Sequence, residues 1–209
     1  MIDAYRIVSN GTGLQYISSR SLLPRSLPSS QSNHNFRGDT LMLSPASLNS
    51  HNISDFVVAT TRGPTPGVRG WLSIFALDEQ GEFFVPEDGD GERYETPTSG
   101  GKANAIDLLA KEDGKGVWIL LTDDDEGICD EAEGGRSKGA VRVLEWNGFD
   151  TGGIKMVAEW PGQHDEANPA RIMGASHAIW LDWKRTRGTS PNEAFTAAFR
   201  FLLIFPLRL

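Results

Sequence analysis

An eight-residue frame occurs twice in this chain. Gly101-Lys102-Ala103-Asn104-Ala105-Ile106-Asp107-Leu108 is echoed by Gly174-Ala175-Ser176-His177-Ala178-Ile179-Trp180-Leu181. Both read Gly-x-x-(Asn/His)-Ala-Ile-x-Leu, and the step from position 101 to position 174 is 73 residues. A second pair agrees. Gly70-Trp71-Leu72-Ser73-Ile74-Phe75-Ala76-Leu77 aligns with Gly139-Ala140-Val141-Arg142-Val143-Leu144-Glu145-Trp146, a step from 70 to 139 of 69 residues. Two similar steps predict a repeated structural unit, and a repeat limits the fold before any single residue is weighed.

The units themselves read as short strands. Asp39–Ser44 ends at Pro45, as a strand does where the ladder loses a donor. Phe56–Thr61 and Val117–Asp123 are β-branched or aliphatic runs that correspond in the two units. Trp71–Leu77 and Val141–Trp146 follow them. Asp78-Glu79-Gln80-Gly81, Lys111–Gly116 and Asn147-Gly148 are turn sequences. Glu82–Val85, Asn104–Leu109 and Ile154–Trp160 complete the predicted strands, and Ser176–Asp182 opens a third unit. The 23 glycines and 11 prolines suit a chain with many turns. Four antiparallel strands per repeated unit describe a β-propeller blade. The two steps exceed the roughly 40–50 residues of a blade, and acidic Gly-rich insertions at 86–91 and 126–136 account for the excess. A β-sandwich fits the strands but not the paired motifs. The expected organisation is a strand-poor segment over 1–36, propeller blades over 37–183 and an atypical tail over 184–209, helix-compatible from Ala194 to Leu203. The fold class is therefore all-β, a partial propeller of about three blades, short of the roughly four that closure needs. Its open blade edges invite self-association.

Bulk properties exclude several functions. The net charge of −8 offers no footprint for nucleic acid and no attraction to an anionic membrane. An anionic ligand would need a local cluster of Arg or Lys. The single cysteine, Cys129, rules out an intrachain disulfide and suits a reducing, cytoplasmic setting. Its acidic neighbours raise a thiol pKa, against a nucleophilic role. No apolar run approaches the ~20 residues of a membrane span, and Met1–Arg6 lacks the flank of a signal peptide.

Ala59-Thr60-Thr61-Arg62-Gly63, Pro97–Ala105, Leu121–Gly127 and Ala178-Ile179-Trp180 follow one another in a familiar order. Over about 37–182 the chain resembles the C-terminal half of the fungal carboxy-cis,cis-muconate cyclases (3-carboxymuconate lactonizing enzymes). These are seven-bladed propellers related to the 6-phosphogluconolactonases. The resemblance implies cycloisomerisation without a metal or other cofactor. One carboxylate of the muconate adds across a double bond to close a γ-lactone, and a general acid supplies the proton. Arginines that clamp the carboxylates and a histidine–glutamate pair for proton transfer are implied with it. The motif carries over Arg62. Where the family pattern often reads Gly-His-Ser-Asn, this chain has Gly101-Lys102-Ala103-Asn104, so Lys102 replaces the histidine. The blades that bear the histidine–glutamate pair are expected N-terminal to this segment, which makes an inactive chain an expectation alongside the enzyme.

The candidate site residues are Arg62, Lys102 and Asn104 for a small carboxylate substrate, and His177 for proton transfer. Each has a plainer alternative. Arg62 suits a surface ion pair as well as a planar anion. Asn104 and His177 share one slot of the repeat, where a hydrogen bond to a neighbouring backbone serves as well as catalysis. Lys102 is a replacement cation or a solvated side chain. Asp123–Glu126 lacks the alternation of a calcium loop and reads as an acidic turn rather than a metal site. Trp71, Trp118, Trp146, Trp160 and Trp180 read as packing between units. Gly11-Thr12-Gly13 precedes no helix signal and gives no nucleotide site. His164 falls in a polar loop. Two further functions stand beside the cyclase. One is a non-catalytic propeller serving as an interaction scaffold. The other is lactone hydrolysis, for which no cluster of phosphate-binding cations is present.

Overall fold

The computed structural model describes residues 1–8, 11–27, 35–45, 55–65, 67–84, 91–99, 101, 104–123, 140–149, 151–160, 177–180 and 201–204. All regular structure among them is β. The strands are β1 (Ile2–Ile7), β2 (Leu14–Arg20), β3 (Arg37–Leu43), β4 (Phe56–Arg62), β5 (Trp71–Ala76) and β6 (Glu92–Glu95). They continue with β7 (Ile106–Ala110), β8 (Val117–Asp123), β9 (Ala140–Trp146), β10 (Lys155–Trp160), β11 (His177–Trp180) and β12 (Phe201–Ile204). Every pairing is antiparallel. The strands form two four-stranded meanders, β3-β4-β5-β6 and β7-β8-β9-β10, and two two-stranded sheets, β1-β2 and β11-β12. Among the described residues no helix is long and apolar enough to cross a membrane.

The sequence repeat falls on equivalent strands. β5 and β9 carry the 70–77 and 139–146 copies, and each is the third strand of its meander. β7 and β11 carry the other pair, and β11 lies against β7 and β8. The second strands, β4 and β8, open with apolar runs and end with polar residues, and both of their faces are covered. One face of β4 and β5 joins β7, β8 and β9 in a single core: Phe56, Val58, Leu72 and Ile74 meet Ile106, Val117, Ile119, Leu121, Leu144 and Trp146. The opposite face, Val57, Ala59 and Phe75, packs against Leu22 and Phe83, with Ile2 and Ala4 of β1 alongside. The β1–β2 hairpin thus covers the first meander, where the sequence suggests little core-forming power.

Three other expectations change. The fourth strand of the first meander is Glu92–Glu95, not Glu82–Val85; Phe83 makes only an isolated bridge to Leu77. An outermost strand can be charged because only its inner neighbour needs it to pair. Phe201–Ile204, at the end of the helix-compatible stretch, is strand β12 and pairs with His177–Trp180. The tryptophans do not act alike. Trp146 is fully buried, with Phe56 at 4.7 Å and Phe149 at 5.0 Å, both edge-on. Trp118 instead lies beneath the Lys111 ammonium, 5.0 Å from its ring centre. Trp160 is exposed.

Candidate functional site

The polar residues of interest gather where β3 begins, β4 ends and the chain enters β7. β4 is fixed by ladders on both sides, so the last residue, Arg62, leaves the sheet from a rigid base. Its side chain is 18% exposed. Its Nε lies 3.5 Å from the Asp39 carboxylate, and its Nη1 donates to the Gly101 carbonyl at 3.4 Å. Asp39 sits in a register shift of β3, between Gly38 and Leu41, and the irregularity frees its side chain to reach across. The same Asp39 oxygen accepts the backbone N–H of Asn104.

Asn104 is fully buried. Its Nδ2 donates to the Thr61 carbonyl at 3.2 Å, and its own carbonyl accepts from Thr60 Oγ1 at 2.7 Å. Its Oδ1 is buried with no hydrogen-bond partner among the described residues. Arg62 and Asn104 are therefore brought together through Asp39, one partly exposed and the other sealed beneath it. Lys102 lies outside the described residues. His177 is the first residue of β11, opposite Ile204, and holds by repeat the slot that Asn104 holds before β7. Asp124–Glu126 and His164 also lie outside the described residues.

Thr98 and Ser99 tie this rim together. Gly63 N–H donates to the Ser99 carbonyl at 2.8 Å, and Gly70 N–H to the Thr98 carbonyl at 3.0 Å. Thr98 Oγ1 donates to Asp123 Oδ2 at the end of β8. That oxygen also receives Arg142 Nη1 at 2.8 Å, while Arg142 Nε reaches Glu159 at 2.6 Å. Arg142 and Asp123 are 3% and 1% exposed, so this is a buried, charge-assisted network across β8, β9 and β10. Burial pulls the Arg142 pKa down, but the bonds and charges of Asp123 and Glu159 outweigh it and leave it raised. The nearby Tyr94 hydroxyl is also raised, by burial first; Arg142 and Arg69 lower it and Glu159 raises it.

Sequence reading missed Asp39, Asp123 and Arg142 as a set. The available signal for Arg142 is an arginine inside the apolar strand Val141-Arg142-Val143, a position that requires a partner. Asp39 offers no such signal, because its role depends on β3 approaching the entry to β7.

The fold and rim define a protein of packed antiparallel sheets with a cationic side chain held at a strand end. No family model matches the chain. It is 28% identical over 128 residues to muconate cycloisomerase 1 of Cutaneotrichosporon cutaneum, a match covering 61% of this chain and 30% of that protein. The chain thus spans less than a third of that relative's length. The link is to a cycloisomerase, and it is distant.

Proposed function

We propose that this chain is part of a cycloisomerase acting on an unsaturated polycarboxylate, with 3-carboxy-cis,cis-muconate as the substrate and a γ-lactone as the product. In this reading β3–β6 and β7–β10 are successive blades of a lactonase-type propeller, β11 opens another, and the enzyme is cytoplasmic. Arg62 carries the reading. Its side chain is 18% exposed at a fixed strand end, and a guanidinium binds a planar carboxylate through two parallel hydrogen bonds. Lys102, which lies outside the described residues, is the second cation of this reading. Asn104 acts on the substrate through position, by holding the Thr61 carbonyl one residue before Arg62. His177 supplies the proton. A substrate carboxylate oxygen bonds to one alkene carbon, the π pair moves to its neighbour, and that carbon takes the proton. The product is an isomer, and no oxidant or reductant is consumed. The distant similarity to a cycloisomerase supports the same reaction class.

The test is an absorbance assay that follows loss of the conjugated diene of 3-carboxy-cis,cis-muconate. Turnover that falls at least tenfold in His177→Asn, with binding retained, is the expected result. A folded chain that binds no muconate would overturn the reading.

A second reading is a scaffold that associates through sheet edges. Leu41 and Leu43 on β3, and Met156 and Val157 on β10, are large, apolar and exposed on end strands of the two meanders. Concentration-dependent sedimentation would favour it; a monomer at all concentrations would remove it.

A further inference from the structure

Arg37, the first residue of β3, is the register partner of Arg62, the last residue of β4. Directly opposed residues of an antiparallel pair project to the same face, where like charges repel. The arrangement is conspicuous in a chain of net charge −8. Arg37 is exposed, and it forms no hydrogen bond or ion pair among the described residues. Asp39 offsets one of the two charges through its contact with Arg62. The carboxylate is itself anchored by the Asn104 N–H, so it stays near Arg62 rather than bridging to Arg37 by choice of rotamer. Two guanidinium groups therefore project from one face, and among the described residues Asp39 is the carboxylate recorded beside Arg62. A surface built for stability would place an acid opposite Arg62. Here, among the described residues, Arg37 has no ion-pair partner.

We propose that Arg37 is the second guanidinium of the anion site, set opposite Arg62 so that both hold one ligand bearing two or more carboxylates, and that Asp39 is a built-in counter-ion with which the ligand competes. The inference rests on the reading above that Arg62 faces a carboxylate ligand. It adds a specificity element. A ligand with one carboxylate gains from one fork only, whereas a polycarboxylate spans both. Asp39 raises the threshold for weak anions, because any ligand must offset its field.

The experiment is calorimetric titration of the full chain with 3-carboxy-cis,cis-muconate at low ionic strength, using Arg37→Gln, Arg62→Gln and Asp39→Asn. Both arginine variants are expected to weaken binding about tenfold or more, as for a lost charged hydrogen bond. Asp39→Asn keeps an acceptor for the Asn104 N–H and removes the charge, so it is expected to tighten binding severalfold. Arg37→Gln is expected to melt no lower than the wild type, since it relieves a like-charge pair. Normal affinity in Arg37→Gln with weakened affinity in Arg62→Gln would overturn the inference and leave the Arg62 reading standing. Normal affinity in Arg62→Gln, or no binding by the wild type, would overturn both. A marked fall in melting temperature for Arg37→Gln would make Arg37 a structural residue and overturn the proposal.

Discussion

The buried amide of Asn104 donates to the Thr61 carbonyl, 3.2 Å away, and so grips the chain one residue before Arg62. Between them, Asp39 bonds the Asn104 backbone and faces the Arg62 guanidinium at 3.5 Å. Asn104→Ala removes this buried donor from the Thr61 carbonyl, at a cost of about 0.5–1.5 kcal/mol. The expected outcome in urea denaturation is a lower midpoint with an unchanged slope. An unchanged midpoint would mean that the Thr61 carbonyl finds water in place of the amide.

Arg142 and Asp123 should matter more. Removing one member of a buried ion pair strands the other charge, and the typical loss is about 3–5 kcal/mol. Arg142→Ala is expected to fall in that range by denaturant unfolding. Glu159→Gln is expected to cost less, because its side chain is 29% exposed and its amide oxygen still accepts from Arg142. Equal losses for the two variants would contradict the assignment of Asp123 as the principal partner.

Gly70 lies against the end of β4. A Cβ built there would fall inside contact distance of the Thr61 carbonyl oxygen, and 3.0 Å from Thr96 Oγ1. Gly70→Ala is therefore expected to lose about 1–3 kcal/mol, as overpacked sites do. Because the same Thr61 carbonyl receives the Asn104 amide, the variant should also weaken muconate binding. Thermal unfolding and titration of one sample check both parts.

The raised Tyr94 hydroxyl sets an alkaline limit. A group whose pKa is higher folded than unfolded binds more protons in the native state between those two values, so stability falls as pH rises there. The contribution is intact below the ordinary value of 10.0 and is lost as pH climbs through the raised one. Arg142 shifts in the same direction. Stability measured from pH 9 to 11 should decline less in Tyr94→Phe than in the wild type. Identical slopes would show that Tyr94 titrates alike in both states.

Local composition makes some of this architecture legible. Phe56–Thr61 and Val117–Asp123 announce strands because their first residues form the apolar runs that strands covered on both faces need. The repeat pairs β5 with β9 and β7 with β11 before any contact is known. β6 is hidden, since Glu92-Arg93-Tyr94-Glu95 carries three charges and gains its place by pairing with β5 alone. Arg62 stands out beside Gly63 at a strand end. Its partners do not, because Asp39 and Asn104 are joined across 65 positions of sequence by a register shift that no local pattern encodes. Arg37 is likewise ordinary until the β3–β4 register sets it opposite Arg62.

The most direct measurement is a proton NMR time course of the purified chain with 3-carboxy-cis,cis-muconate in deuterated water. The account predicts a γ-lactone carrying one solvent deuteron at the newly protonated carbon, formed at least tenfold more slowly by Arg62→Gln. Unchanged muconate in the presence of folded chain, or lactone formed no faster than in buffer, would contradict it.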